Sequence, residues 1–388
     1  MPVTITGVQY SGIWTMQQVN SAISAATWPS PPAPALYSWG YGINGLLGLG
    51  NTTDYSSPKQ VGALKTWYVV SAGQQQSSFS IKTDGTLWAW GANTSGQLGL
   101  GNTTAYSSPK QVGALTIWSG IQNHISATIA TQSNGTIWSW GNNSNGVLGL
   151  NNITNYSSPK QIGALTNWLT VSGSYQGNYV LAAKTDGTLW SWGLGSAGQL
   201  GLGNTTNYSS PKQVGALTSW SKVFASSQSS FAIKTNGTLW SWGGNSYGQL
   251  GLGNTTVYSS PKQIGALTNW LDIAAGYYYA VAVKTDGTLW TWGNNLKGQL
   301  GLGNNTNYSS PKQIGALTTW LKVSGGSYAT GAIKTDGTLW TWGNSSGTRG
   351  MLGLGNLTNY SSPKQVGSLT SWVQIGVGQQ NMIAIANV

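Results

Sequence analysis

Few side chains in this sequence could carry acid–base or metal chemistry. The acidic residues are six aspartates, and the chain has one histidine and no cysteine. Four of the aspartates precede the turn of a repeated segment: Asp84, Asp186, Asp286 and Asp336. Asp54 and Asp272 are isolated, and His124 has no carboxylate near it in the sequence. Because paired carboxylates, a phosphate-binding loop and metal-ligand spacing are all missing, we predict a non-enzymatic protein with no catalytic residue, metal site or cofactor.

Tryptophan is abundant enough to suggest stacking on sugars or on single-stranded nucleic acid. The chain has 22 tryptophans, but 20 of them recur at fixed places in a repeat. Thirteen lie in W-x-W-G segments or their Y-x-W-G variant, and seven follow a G-A-L or G-S-L segment once per repeat. Regular recurrence favours structural packing, so we predict that these 20 belong to the core. Only Trp14 and Trp28 stand outside the pattern.

Lysine dominates the charge, with a formal net charge of +11. One lysine recurs in each S-S-P-K-Q segment: Lys59, Lys110, Lys160, Lys212, Lys262, Lys312 and Lys364. Another precedes the turn in five copies: Lys82, Lys184, Lys234, Lys284 and Lys334. We interpret both sets as solvated surface, with an anionic partner as the alternative. Nucleic acid is not the expected partner, because its readers favour clustered arginine and this chain has only Arg349.

The tryptophans mark seven copies of one unit of about 50 residues, a period typical of propeller blades or solenoid coils. The W-x-W-G segments end at Trp39, Trp90, Trp140, Trp192, Trp242, Trp292 and Trp342. The first copy starts abruptly at Ala35, and the strand that it lacks matches residues 382–386 at the other end of the chain. Pairing of the two terminal strands would close a ring and remove exposed sheet edges. The sequence therefore predicts an all-β, seven-bladed β-propeller over residues 36–388.

Each copy contains the signals of short antiparallel strands. Phe79 and Ile81 alternate with polar residues, which indicates a strand with period 2. Asp84-Gly85 then predicts a tight hairpin, because this pair readily adopts the backbone angles of such turns. The return strand begins at Leu87, and Pro109 in the later S-S-P-K-Q segment favours an edge strand.

The run D-G-T-L-W-x-W-G-x-N-x-x-G-Q-L-G-L-G, followed by a proline segment, resembles the repeat of the regulator of chromosome condensation family. The resemblance extends from Leu36 to the C-terminus and recurs seven times. It implies a seven-bladed propeller whose last blade is closed by both termini. The family's repeats often carry a histidine before the hairpin, but the matching places here hold Tyr279 and Asn381 in two copies. Proteins with this repeat exchange nucleotides on a small GTPase, bind chromatin or inhibit enzymes, so the resemblance leaves function open.

Two loops vary between otherwise similar copies, and we predict that they gather on one face of the ring. One precedes the apolar strand, and the other follows W-x-W-G and includes Tyr247, Lys297 and residues 345–349. Tyrosine and glutamine in such loops are typical of binding surfaces that combine rigid rings with adaptable amides. The predicted binding residues are Gln74, Gln75, Gln76, Tyr175, Gln176, Tyr179, Tyr277, Tyr278, Tyr279 and Tyr328. The alternative is loop drift without selection.

Residues 1–35 precede the ring and end in a proline-rich spacer. The pattern Y-S-G-I-W-T-x-Q-Q, followed by Trp-Pro, resembles short segments of tail and fibre proteins of marine bacteriophages. The resemblance implies an attachment segment in which Trp14 and Trp28 contact another virion protein or a symmetry mate. The alternative is a strand or plug packed on the propeller's own surface.

These observations together favour a non-enzymatic display protein of a phage virion, such as a tail-fibre, decoration or receptor-binding component. Its expected partners are other virion proteins through residues 1–35, and a host surface or protein through the variable face. We expect no membrane insertion, allow oligomers, and place the protein in the virion, assembled in the host cytoplasm, with the cell surface or extracellular space as the alternative. Two other functions stay open: a soluble propeller that binds or inhibits a protein, and a glycan-binding propeller.

Overall fold

The chain forms a ring of seven four-stranded antiparallel sheets. The computed structural model describes residues 33–73, 77–123, 125–175, 178–345 and 349–388. Trp14, Trp28, Gln74, Gln75, Gln76, His124 and Gln176 lie outside these residues, so the predictions made for them stay untested. Within the described ranges no helix is long and apolar enough to span a membrane.

Four sets of strands build the seven sheets. The innermost strands are β3 (Trp67–Ala72), β7 (Trp118–Asn123), β11 (Trp168–Gly173), β15 (Trp220–Ala225), β19 (Trp270–Ala275), β23 (Trp320–Gly325) and β27 (Trp372–Val377). The second strands are β4 (Ser77–Lys82), β8 (Ala127–Gln132), β12 (Tyr179–Lys184), β16 (Ser229–Lys234), β20 (Tyr279–Lys284), β24 (Ala329–Lys334) and β28 (Asn381–Asn387).

The third and outer strands complete each sheet. The third strands are β1 (Pro34–Gly40), β5 (Leu87–Gly91), β9 (Ile137–Gly141), β13 (Leu189–Gly193), β17 (Leu239–Gly243), β21 (Leu289–Gly293) and β25 (Leu339–Gly343). The outer strands are β2 (Tyr55–Gln60), β6 (Tyr106–Gln111), β10 (Tyr156–Gln161), β14 (Tyr208–Gln213), β18 (Tyr258–Gln263), β22 (Tyr308–Gln313) and β26 (Tyr360–Gln365). A short 3-10 turn at Ile43–Gly45 follows β1.

The ring is closed by strands from both ends of the chain, as the sequence predicts. One sheet has the order β2-β1-β28-β27, with Leu36 opposite Ile385 and Trp39 opposite Met382. Each innermost strand contacts the innermost strands of both neighbouring sheets, and these contacts run without a break through all seven sheets. The result is an all-β, seven-bladed propeller around a central channel, in which β1 begins at Pro34.

The predicted core tryptophans connect neighbouring sheets. The second indole of every W-x-W-G segment, or its Y-x-W-G variant, is fully buried, and its N–H donates to a backbone carbonyl of the preceding sheet. In one example, Trp140 Nε1 lies 2.8 Å from the Gln97 carbonyl oxygen. The chain after Gln97 must pass close to this ring: a Cβ at Gly99, whose φ is +74°, would lie 2.7 Å from Trp140 Nε1. These contacts explain the recurrence of tryptophan and glycine at fixed spacing.

The predicted hairpins form between second and third strands, and their aspartates have a structural role. The Asp84 carboxylate accepts hydrogen bonds from the Thr86 amide (2.9 Å) and hydroxyl (2.6 Å). The hydroxyl also accepts a bond from Trp88 Nε1 (2.9 Å). These hydrogen bonds lower the pKa of Asp84, and Asp186, Asp286 and Asp336 behave alike.

Replacing these four aspartates together by asparagine is expected to make stability less sensitive to acid. Asn134 and Asn236 accept the same two bonds in other sheets, so the hairpin geometry should be kept. A carboxylate with a lowered pKa stabilises the fold above its unfolded pKa, and this contribution is lost as the pH falls through the folded pKa. Urea unfolding between pH 2 and pH 6 should therefore show a shallower acid decline in the variant. An unchanged decline would contradict this role.

Candidate interaction face

Two loops of each sheet meet at one end of the ring. Because every sheet is an antiparallel meander of the same order, the loops after the innermost strands and after the third strands lie at the same end. The aspartate hairpins and the G-A-L segments lie at the other end. The predicted clustering of the two variable loops on one face therefore follows from the topology.

Five tyrosines from four neighbouring sheets form a continuous cluster at this end. They are Tyr175, Tyr247, Tyr277, Tyr278 and Tyr328, and we refer to them as the tyrosine cluster. The ring centroids of Tyr277 lie 4.2 Å from Tyr278, 5.7 Å from Tyr175 and 6.1 Å from Tyr328. Tyr247, from a loop after a third strand, lies 5.0 Å from Tyr278.

Tyr175 crosses the mouth of the channel. Its hydroxyl is hydrogen-bonded to that of Ser327, which lies three sheets further around the seven-sheet ring. Three steps in a ring of seven lead to the opposite side, so this side chain spans the opening. Its backbone N–H also donates to the Ser226 carbonyl of the next sheet (3.1 Å). Tyr175 is only 5% exposed and is therefore the base of the cluster rather than its contact surface.

The outer members of the tyrosine cluster remain accessible. Tyr328 is 38% exposed, and Tyr247, Tyr277 and Tyr278 are half-buried. Partial burial raises the pKa of Tyr278 to about 12, and full burial raises the pKa of Tyr175 well above its usual range. The cluster offers flat rings with hydroxyl groups at their edges, a chemistry that suits protein interfaces.

Two predicted binding residues are not part of this surface. Tyr179 and Tyr279 are the first residues of β12 and β20, and both are fully buried. The hydroxyl of Tyr179 donates to the Ser229 carbonyl (2.7 Å), and that of Tyr279 donates to the Ala329 carbonyl (2.6 Å). The prediction of exposed loop positions is wrong for these two residues, because each side chain joins its sheet to the next.

Sequence reasoning could have separated the two kinds of tyrosine. Tyr179 and Tyr279 occupy a strand register that holds serine, alanine or asparagine in the other sheets, so they belong to the core pattern. Tyr247 lies in the second variable loop and is missing from the predicted binding residues. Its contact with Tyr278 joins two sheets that are adjacent in the ring, which loop composition alone does not reveal.

No metal site is found, since the residues that the structure describes contain no group of three or more potential ligands. The single ion pair recorded among them joins Lys222 to Asp272 (3.9 Å). Burial raises the pKa of Asp272, and nearby Lys222 partly opposes this effect. Among these residues Asp272 has Lys222 as its ion-pair partner and belongs to no cluster of acidic or metal-binding side chains.

The fold and the seven repeats together define a class of β-propellers. The RCC1-like domain model matches residues 36–384, so the chain belongs to that family. It is 31% identical over 185 residues to the ultraviolet-B receptor UVR8 of Arabidopsis thaliana, covering 46% of this chain and 41% of the receptor. It is 29% identical over 209 residues to human E3 ubiquitin-protein ligase HERC2, covering 51% of this chain but 4% of the ligase. The matched region thus spans less than half of either relative.

Solved structures agree on the fold. Prp20p of Saccharomyces cerevisiae, described with its binding to Gsp1p and histones, superposes with a TM-score of 0.80 at 20% identity over 92% of each chain. Human WBSCR16 superposes with a TM-score of 0.80 at 21% identity, covering 92% of this chain and 99% of that one. At such low sequence identity, these superpositions show that the fold is shared. They do not indicate which partner this chain binds.

Proposed function

We propose that this protein is a non-enzymatic interaction module that binds a protein partner through the tyrosine cluster. The observation that carries the proposal is the concentration of tyrosines from four sheets at one channel mouth, on a scaffold whose other positions repeat closely. Aromatic residues at the centre of a contact patch contribute most of the binding energy in typical interfaces. Family membership supports the same role, since Prp20p is described with protein partners.

The rigidity of the surface favours binding with little rearrangement. Tyr175 ties the cluster to Ser327 across the channel, and Tyr277 N–H donates to the Gly326 carbonyl (3.3 Å). Rings held in place before contact lose less conformational entropy when a partner binds. A partner with an apolar or arginine-rich contact patch would match the ring faces and hydroxyl edges.

The narrower hypothesis of a phage virion component has no support among the relatives described above. Its attachment residues, Trp14 and Trp28, lie outside the described residues. An interaction propeller is the alternative that the family supports better, and it does not require a virion. The cellular location stays a prediction.

Replacing Tyr277 by Ser, Tyr278 by Gln and Tyr328 by Gln is expected to abolish partner binding without unfolding the ring. The chain itself uses these residues at the matching loop positions, with Ser227 and Gln228 in the preceding sheet. Loss of two or three central aromatic contacts should weaken binding by at least about 100-fold. Proteins retained from a lysate of the source organism by wild type and by the variant should be compared by quantitative mass spectrometry.

The matched control is Tyr68→Ser, because Tyr68 is 58% exposed at the opposite end of the channel and serine occupies its position at Ser119. The control should keep the partner that the triple variant loses. If the triple variant keeps every partner, or if Tyr68→Ser loses the same ones, the tyrosine cluster is not the contact surface.

A further inference from the structure

Concave sites of another kind lie between adjacent sheets, and none of the tyrosine cluster lines them. Three such inter-sheet grooves have volumes of about 310, 330 and 360 Å³. In the groove between the closing sheet and the next one, Gln60 and Leu64 form one wall and Pro109 the other. Trp67, Trp88 and Lys82 form its floor. Volumes of a few hundred Å³ suit a small ligand or one unit of a polymer.

The floor of this groove carries a cation with unused hydrogen-bonding capacity. Lys82 is 8% exposed, and its Nζ lies 3.7 Å from the ring centroid of Trp88 and 5.1 Å from that of Trp67. Among the residues that the structure describes, no hydrogen bond or ion pair to this ammonium is recorded. Asp84 attracts it at longer range, but the Asp84 carboxylate already accepts two bonds from Thr86. An ammonium has three N–H donors, so an acceptor in the groove would complete its bonding.

The same arrangement recurs in five of the seven sheets. The equivalent ammonium groups lie 3.8 to 3.9 Å from the corresponding indole centroids. These four further lysines are Lys184, Lys234, Lys284 and Lys334. The remaining two sheets have Gln132 and Ala386 at this register. Of the three grooves described above, Lys82 lines one, the Lys234 ammonium lies on the Trp240 indole that lines a second, and the sheet of the third has Gln132 at this register.

The side chains of the groove walls indicate which chemical groups the anionic ligand should have. The half-buried Trp88, Pro109 and the exposed Leu64 present flat or apolar surface, and the Gln60 side chain supplies an amide. No carboxylate lines the groove. These surfaces suit a ring with an apolar C–H face, hydroxyl groups at its edge and one carboxylate. A hexuronic acid unit has all three features.

We propose that the five lysine–indole sites bind hexuronic acid units of an acidic polysaccharide, each ammonium pairing with a carboxylate while indole and proline surfaces contact the sugar ring. Five sites on one ring allow a single polymer to bind at several points, which raises its overall affinity. The seven outer-strand lysines and the net charge of +11 would attract the polymer from a distance.

Nucleic acid is the competing polyanion, and the groove chemistry disfavours it. Recognition of nucleic acid typically uses arginine clusters. Arg349 is the single arginine of the chain, and its guanidinium lies over the Tyr41 ring, 3.7 Å from the centroid, away from the grooves. An acidic polysaccharide would contact both the ammonium and the indole rings of the groove floor, so it is the ligand that we propose.

The test is calorimetric titration of the full chain with a galacturonic acid hexamer, its methyl ester and a thymidine oligonucleotide of equal charge. Replacing all five groove lysines by Gln should weaken binding of the acid by at least about tenfold, because hydrogen bonds to charged groups are lost. The control variant replaces five outer-strand lysines by Gln: Lys59, Lys110, Lys160, Lys212 and Lys262. It removes the same charge and should weaken binding less than about threefold.

A further variant adds a lysine instead of removing one, so the proposal can still be tested if the five-lysine variant folds poorly. Gln132→Lys should create a sixth basic groove and raise the number of hexamer units bound. If both five-lysine variants weaken binding of the hexamer equally, the lysines act only through their net charge. That result would overturn the proposal. Equal binding of the methyl ester, tighter binding of the oligonucleotide, or no change with Gln132→Lys would also overturn it.

Discussion

Removal of residues 381–388 is expected to abolish cooperative folding of the ring. These residues contain β28, which pairs with β1 on one side and β27 on the other. Met382, Ile383 and Ile385 are almost completely buried, so their loss removes the centre of the closing sheet. Two unpaired strand edges and the apolar faces of two neighbouring sheets would then be exposed, which favours aggregation.

Circular dichroism melting with light scattering measures this effect. The truncated chain should lack a cooperative transition, and a synthetic peptide of residues 378–388 should restore one by supplying the missing strand. Ala386→Lys is the matched control, since lysine occupies the same register in five sheets and should be tolerated. A truncated chain that melts cooperatively at the wild-type temperature would show that ring closure does not depend on β28.

Trp140→Ala is expected to cost about 3–5 kcal/mol of unfolding free energy, the usual loss for a large buried aromatic residue. Trp140 is fully buried and packs edge-to-face on Trp118, with ring centroids 6.1 Å apart. Its substitution also leaves the Gln97 carbonyl without this hydrogen bond to the next sheet. The variant therefore combines a cavity between two sheets with the loss of one inter-sheet hydrogen bond, while the Gln97 carbonyl keeps its bond from the Thr128 hydroxyl (2.9 Å).

Trp138 provides the control within the same strand, because it is half-buried and its Nε1 bonds to Thr136 of its own hairpin (3.0 Å). Urea unfolding should show a clearly smaller loss for Trp138→Ala than for Trp140→Ala. Trp140→Phe should lie between them, since it keeps an aromatic ring but cannot donate to Gln97. A larger loss for Trp138→Ala would mean that inter-sheet contacts are not the main contribution of the repeated motif.

The fold could be predicted from the sequence because the local turn and strand signals and the repeat period specify the same structure. The Asp84-Gly85 turn, the period-2 strand at Phe79 and the W-x-W-G segment specify one sheet, and seven copies specify the ring. The split copy at the termini specifies its closure. Each of these features depends on residues close in sequence, or on recurrence at a fixed period, so no knowledge of distant contacts is needed.

The candidate site was only partly predictable, because its geometry depends on contacts between sheets. The loop that carries Tyr175 extends from residue 174 to 178 and is longer than the loop at residues 276–278. Extra length alone does not show that the Tyr175 ring reaches Ser327 on the far side of the channel. Loop composition predicts an exposed surface for Tyr179 and Tyr279, whereas their strand register places them in the core.

The inter-sheet grooves show a similar limit. The five lysines before the hairpins are visible in the sequence, where nothing distinguishes them from ordinary surface charges. Only the structure places Lys82 over Trp88 and Trp67, which come from two different strands of its sheet, and adds walls from the neighbouring sheet. The charge was predictable, whereas its partial burial on an aromatic floor was not.

The most direct test of the central claim, that the tyrosine cluster contacts the partner, is site-specific photo-crosslinking. A photoreactive phenylalanine derivative would replace Tyr328, which is 38% exposed in the cluster, or Tyr68 at the opposite end of the channel. We predict that the Tyr328 position forms covalent adducts with the partner lost by the triple tyrosine variant, and that the Tyr68 position forms none. Adducts at Tyr68 without adducts at Tyr328 would place the interaction on the other face and contradict the account.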